Sequence, residues 1–231
     1  MESPSNRFDR EPERAVPLFW GCADRLGFWT PARRAEVERW LIHHRIHPRP
    51  IGAGRCCGQV AYNLGDTVRA ERMARRFPSE PFAVASMSCA LHLQRYGLPA
   101  EELTLFLLRR SWLPYLRHRR NHAIRVLFFA GCHARSEAPR HVQELYLAVR
   151  ERVPEVKWVF PDLPVCCGFA GIHSFLHPGN VVPVTLETMT LYGEVDRVVG
   201  VDPPCLERLG RWLGRPVEHV LAFLARREML A

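Results

Sequence analysis

The sequence predicts an α/β fold made of two tandem, duplicated units, each with a mostly parallel sheet. Three observations predict it. A cysteine pattern repeats at a constant offset, short apolar runs end just before its first and last cysteines, and amphipathic helical segments separate those runs.

The repeat rests on all eight cysteines: Cys22, Cys56, Cys57, Cys89, Cys132, Cys166, Cys167 and Cys205. Matched in order, the two sets differ by 110, 110, 110 and 116 positions. Gly21 and Gly131 also differ by 110, as do Gly58 and Gly168. Each half therefore reads Gly-Cys, then Cys-Cys-Gly, then one further cysteine. The step from the pair to that last cysteine is 32 residues in the first half and 38 in the second. Independent placement would rarely produce this match, so the chain reads as an internal duplication. The boundaries that follow are a tail over 1–14, a first domain over 15–108, a linker over 109–123 and a second domain over 124–231.

The elements follow in order. Ala15 to Trp20 and Ile124 to Ala130 are apolar runs of strand length, each leading into a first cysteine. Pro31 to His44 has helical spacing, with Thr30 as N-cap and Pro31 at the first helical position. Asp66 can cap Thr67 to Phe77. Phe82 to Ala85 reads as a strand before Cys89, and Ala90 to Tyr96 as the helix after it. In the second half, Arg140 to Val153 is amphipathic and Val181 to Tyr192 is predicted helical. Arg197 to Val201 is a strand before Cys205, followed by a helix over Leu206 to Leu213 and a terminal helix reached through Pro216 to Val220. Strands alternating with helices describe two Rossmann-like units, with one continuous sheet as the alternative. First and last cysteines fall at the carboxyl ends of strands, the edge where open α/β sheets bind ligands.

Composition narrows the function. Hydrophobic residues make up 47% and charged residues 24%, as in ordinary globular chains. No apolar run is long enough for a transmembrane helix. The first fourteen residues include Glu2, Asp9, Glu11 and Glu13 and lack the apolar core of a secretory signal, so the expected location is cytoplasmic. The net charge of +8 comes from 32 basic and 24 acidic residues. The basic residues are spread along the chain, and no zinc-finger or RNA-binding signature accompanies them, so a specific nucleic-acid partner is not expected. A reducing compartment disfavours structural disulfides, which leaves metal binding or thiol chemistry for the cysteines.

Zinc sites usually use Cys-x-x-Cys pairs, which are absent here. Adjacent cysteine side chains diverge, so a Cys-Cys pair more readily reaches two metal atoms of a cluster than one small ion. Four thiolates per half is also the usual complement of a [4Fe–4S] cluster. The glycine after each pair allows close backbone approach. All eight cysteines are therefore the candidate metal- and cofactor-binding residues, with one or two clusters per chain and zinc in one half as a variant. A metal-free dithiol catalyst is a competing reading. Vicinal disulfides are strained, so structural bridges within the pairs are disfavoured.

At these residues the chain resembles the cysteine-rich Cys-Cys-Gly (CCG) family. The matching stretches are Cys56-Cys57-Gly58-Gln59 with Tyr62-Asn63-Leu64-Gly65, then Ser88-Cys89-Ala90. In the second half they are Cys132-His133 with Pro139-Arg140, Cys166-Cys167-Gly168-Phe169-Ala170-Gly171 with Ser174, and Asp202-Pro203-Pro204-Cys205-Leu206. The family includes the cysteine-rich subunit of heterodisulfide reductase, the glycolate oxidase iron–sulfur subunit and the iron–sulfur protein of bacterial lactate utilisation. The last is the most similar, with comparable length, two repeats and no ferredoxin domain.

The resemblance implies two tandem CCG domains and an electron-transfer subunit of an oxidoreductase complex oxidising lactate or a similar 2-hydroxy acid. It implies flavin- or iron–sulfur-containing partner subunits, and peripheral membrane docking only through a partner. The alternatives are a heterodisulfide reductase-like, disulfide-reducing subunit and a zinc-binding scaffold. In heterodisulfide reductase the last cysteine of each repeat belongs to a Cys-x-x-Cys. Here the positions three residues later are His92 and Arg208, which weakens the disulfide-cleaving reading. His92 is a candidate replacement ligand or a polar neighbour. His133, Arg135, Arg140 and His173 flank the second set, and Gln59, Asn63 and Ser174 are candidate hydrogen-bond donors around the centres.

Overall fold

The computed structural model describes residues 14–21, 27–113, 124–161, 166–167 and 192–229. Its strands are β1 (Arg14–Phe19), β2 (Ile46–Pro50), β3 (Phe82–Val84), β4 (Ala100–Glu102), β5 (Arg125–Phe129), β6 (Lys157–Val159), β7 (Arg197–Gly200) and β8 (Val217–His219). They form two four-stranded sheets, ordered β2-β1-β3-β4 and β6-β5-β7-β8. Every pairing is parallel. The expected two Rossmann-like units are thus present, and the described strands form two separate sheets rather than one continuous sheet.

Local chemistry explains the elements. β5 is buried from Val126 through Phe129, as a strand covered on both faces should be. β1 carries Pro17, which cannot donate to a ladder. It is tolerated because pairing with β3 starts only at Leu18. β2 contains Pro48 and Pro50 and lies at the sheet edge, where such residues are allowed. Helix α1 (Pro31–His43) begins as predicted, with the Thr30 hydroxyl accepting from the Arg33 amide at 3.3 Å. Its Val37, Trp40 and Leu41 face the core.

Next come α2 (Gln59–Asn63) and α3 (Thr67–Ala74). The latter is capped by Asp66 and ends three residues before the expected Phe77. Helix α4 (Met87–Gln94) starts three residues before the expected Ala90, because Ser86 caps it by accepting from the Cys89 amide. After α5 (Leu103–Arg109), the second half contributes α6 (Cys132–Glu137), α7 (Pro139–Arg152), α8 (Pro203–Leu213) and α9 (Val220–Met229). The start of α8 lies ahead of the expected Leu206 because Pro203 and Pro204 already hold helical φ. The helix expected over Val181 to Tyr192 lies outside the described residues, apart from Tyr192 in a turn, as does most of the 109–123 linker.

The two halves share their interior. One apolar cluster joins Val16 and Leu18 of β1 and Trp40 of α1 to Phe128 of β5 and Leu221 and Leu224 of α9. A second lies within the first half and includes Phe19, Phe77, Phe82, Cys57 and Cys89. Helix α9 packs on α1, where the Trp40 indole N–H donates to Glu228 at 2.6 Å and Arg226 bonds Glu36 at 2.7 Å. Arg109 joins Glu101 of its own half at 2.8 Å and Glu144 of the other at 2.9 Å. Such half-exposed pairs contribute little individually, so the shared apolar core carries the association.

Candidate cysteine-lined metal centre

The strand order places the site. In each sheet the order turns back between β1 and β3, or between β5 and β7. That switch opens a crevice beyond the carboxyl ends of those strands. Gly21 and Gly131 close β1 and β5, and Cys89 and Cys205 lie just beyond β3 and β7. Both glycines have left-handed φ, +80° and +81°. A Cβ on Gly21 would lie 3.8 Å from Cys89 Sγ, and one on Gly131 would lie 3.5 Å from Cys205 Sγ. The duplicated spacing thus becomes duplicated geometry, with each last thiol against the backbone that leads to the first cysteine. Cys22 itself lies outside the described residues, and so does Gly168.

In the first half, Cys57 and Cys89 are buried with their sulfurs 3.2 Å apart, and Cys56 is half-buried. The Gly58 amide points at Cys56 Sγ, 3.5 Å away. Gly58 has φ +102°, and an added Cβ would lie 2.7 Å from the Ala70 carbonyl oxygen and 3.0 Å from His92 Nε2. The glycine of this Cys-Cys-Gly turn is therefore required by the close passage of α3 as well as by its amide. In the second half, Cys132 and Cys166 bring their sulfurs to 3.6 Å, while Cys205 lies 3.4 Å from Asp202 Oδ2. Cys167 and Cys205 are buried, and no disulfide joins any of the described cysteines.

Electrostatics favour a cation among these sulfurs. The Cys56 thiol beside it and burial push Cys57 above the ordinary thiol range, against a lowering contact from Cys89. Cys166 and burial do the same to Cys132, and Cys167 and burial to Cys205. Closely packed thiols cannot all ionise unless positive charge joins them, and a bound metal supplies it. Cys89 and Cys205 also sit in the first turns of α4 and α8, where the helix dipole favours a thiolate. The described donors therefore suit a sulfur-ligated metal or cluster.

The two sets are joined through Asp202, a buried residue for which no role was predicted. Its Oδ1 accepts from the Ser86 hydroxyl at 2.6 Å, and its Oδ2 accepts from the Ser88 hydroxyl. The Met87 amide adds a 2.9 Å bond to the Val201 carbonyl. The helix start carrying Cys89 is thereby fixed to the turn carrying Cys205. The signal was available in sequence: Ser86 and Asp202 each stand three residues before a repeat's last cysteine.

The remaining candidates divide. His92 is 1% exposed and borders the first set, and burial holds its imidazole near pKa 4, hence neutral. His133 is half-buried beside the second set, with its pKa likewise lowered by burial. Arg135 lies over the Phe160 ring and donates to the Pro161 carbonyl, while Arg140 is exposed. The Gln59 amide donates to Asn63 at 2.6 Å, so these two bond each other. His173 and Ser174 lie outside the described residues. Away from this edge, His43, His44 and Glu228 hold their ligand atoms within 4.8 Å of one another. Glu228 Oε2 already engages Trp40 and His44 there, which makes the group a hydrogen-bonded helix junction.

Fold and site define a duplicated, cysteine-rich α/β protein with thiols gathered at the switch points of its sheets. The family model for the CCG cysteine-rich domain matches residues 126–210. The second half is thus similar to that domain, and the match supports metal or cluster binding in a redox-type subunit. No curated protein matches the chain. Among solved structures, an aspartate racemase homologue from Pyrococcus horikoshii OT3 is similar at 11% identity and a TM-score of 0.35, over 95% of this chain and 98% of that one. That likeness is too distant to bear on function. Among the described residues, no helix is long and apolar enough to cross a membrane.

Proposed function

We propose that the chain is an iron–sulfur electron-transfer subunit of a cytoplasmic oxidoreductase complex that oxidises lactate or a similar 2-hydroxy acid. In this reading residues 15–108 and 124–231 are two CCG domains. Cys22, Cys56, Cys57 and Cys89 hold one [4Fe–4S] cluster, and Cys132, Cys166, Cys167 and Cys205 hold another. The observation that supports it is the repeated placement of a buried thiol against a left-handed glycine at the carboxyl edge of both sheets. The resemblance to the lactate-utilisation iron–sulfur protein supplies the substrate class.

A bound cluster supplies one-electron transfer. The chain's own residues hold and shield it. Cys57, Cys89, Cys167 and Cys205 are withdrawn from solvent, which keeps water from the sulfurs. Cys56, Cys132 and Cys166 are half-buried and form the more accessible side of each set, facing a flavin- or iron–sulfur-bearing partner. The Gly58 amide donates toward Cys56 and stabilises its thiolate. Asp202, held by Ser86 and Ser88, fixes the spacing between the two sets.

The test is anaerobic purification with iron, sulfide and zinc analysis, followed by EPR of the oxidised and reduced protein. Four or eight irons per chain, with matching sulfide and a signal that changes on reduction, are expected for [4Fe–4S] clusters. Stoichiometric zinc, or eight free thiols after attempted reconstitution, would instead identify a zinc scaffold or a thiol-exchange protein.

A further inference from the structure

We propose that His92 is a direct ligand of the metal centre in the first repeat, adding an imidazole nitrogen to the thiolates, and that the matching position of the second repeat carries no ligand. The proposal rests on reading the cysteine sets as metal centres. Its starting point is an anomaly. His92 is 1% exposed, yet neither ring nitrogen has a hydrogen-bond partner among the described residues. Leaving buried polar atoms unmatched is costly, so native proteins rarely do it without a function for them.

The surroundings show what the ring is held for. Tyr62 and Tyr96 pack against it edge-on, with centroids 5.6 and 5.2 Å away, and fix its plane. The Tyr62 hydroxyl is engaged by Arg95 at 2.8 Å. Nε2 is directed at the Cys-Cys-Gly turn, 3.0 Å from the point a Gly58 Cβ would occupy. His92 follows Cys89 by three residues on α4, so the two share a helix face and approach the turn together. An imidazole held at the turn that carries Cys56 and Cys57 is a donor that zinc and iron centres accept.

The second repeat differs at the matching position. Arg208 stands three residues after Cys205, and its guanidinium lies over the Trp212 ring at 5.1 Å. A guanidinium does not ligate at neutral pH. The duplicated sets are therefore chemically unequal at this position, one with an imidazole and the other with a guanidinium.

The experiment uses the full chain, loaded anaerobically with iron and sulfide, with and without ¹⁵N-histidine labelling. Pulsed EPR of the reduced protein is expected to show a directly coordinated nitrogen that changes with the label. The coupling should vanish in His92→Leu and persist in His133→Leu. If His92→Leu does not fold, His92→Cys keeps a ligand there and should lose the nitrogen coupling while retaining iron. It should also lower the potential of one centre only. Iron and sulfide without nitrogen coupling, or coupling that survives loss of His92, overturns this proposal and leaves the proposed function intact. A wild-type chain that takes up no iron overturns both.

Discussion

Replacing Gly58 by alanine tests the geometry on which the first cysteine set depends. Two costs add. Gly58 has φ +102°, where an L side chain is strained by roughly 1–3 kcal/mol. The new Cβ would also lie 2.7 Å from the Ala70 carbonyl oxygen, and this is backbone that cannot rotate away. Forcing an atom into such a contact costs roughly 1–3 kcal/mol more. The expected loss is about 4 kcal/mol, a large share of a domain's total stability. Gly97→Ala is the control. Its φ is +74° with nothing within 4 Å of the added atom, so it carries the backbone cost alone. Urea unfolding of both variants in metal-free form should separate them by about 2 kcal/mol. Equal midpoints and slopes would mean that α3 does not pass the Cys-Cys-Gly turn as closely as described. The reasoning about Cys57 and His92 would then fail with it.

Other expectations follow from the same contacts. Asp202→Ala should destabilise the protein by roughly 2–4 kcal/mol in chemical denaturation, because Ser86 and Ser88 lose a buried charged acceptor; a loss under about 1 kcal/mol would contradict the bridge between the sets. His92 has its pKa lowered by burial from 6.5 to about 4. The unfolded chain therefore binds this proton first, so stability is full above pH 6.5 and falls as the pH drops toward 4. The loss from this group is about 3 kcal/mol in the metal-free protein. A His92→Phe variant should lack that slope, and an unchanged slope would refute the assignment. Cys57, Cys132 and Cys205 are held protonated at neutral pH by neighbouring thiols and burial, so metal uptake must release protons and strengthen as pH rises. Calorimetry in buffers of different ionisation enthalpy would detect the release.

Elements were legible where burial was purely apolar. Val126 to Phe129 and Phe82 to Val84 read as strands because nothing polar interrupts them. The edge strands did not. β4 is Ala-Glu-Glu and β8 is Val-Glu-His, patterns that periodicity assigns to loops. They are strands because their polar side chains are matched inside. Glu102 accepts from the amides of Thr104 and Leu105, and Glu218 pairs with Arg197 and Arg226. The cysteine sets were legible through spacing, since a duplicated fold preserves intervals. The burial of His92 was not, because it depends on α2 and the Gly58 turn folding over α4, a long-range event that leaves no mark on one helix's pattern.

Glu102 and His219 show that the duplication has become a single unit. Glu102 pairs with Val84 in the first sheet, and His219 pairs with Gly200 in the second. Val84 and Gly200 are equivalent, lying five residues before Cys89 and Cys205 respectively. Glu102 and His219 therefore occupy the same place in the two repeats. They meet between the halves, His219 Nε2 lying 3.4 Å from Glu102 Oε1 with both side chains fully buried. Each also caps the helix that follows: Glu102 through its carboxylate, and His219 by accepting at Nδ1 from the Leu221 amide at 3.2 Å. With Nδ1 accepting, the ring proton sits on Nε2. An identical repeat would set two carboxylates or two imidazoles against each other there, which burial forbids. Divergence into a donor and an acceptor removes the conflict only while the halves are together. Either half alone would expose its share of the core and leave this residue without its complement. Separately expressed 15–108 and 124–231 fragments should therefore be unstable apart and recover cooperative unfolding when mixed, as circular dichroism melts would report. Independent, unchanged melting of each fragment would show that the repeats remain autonomous domains.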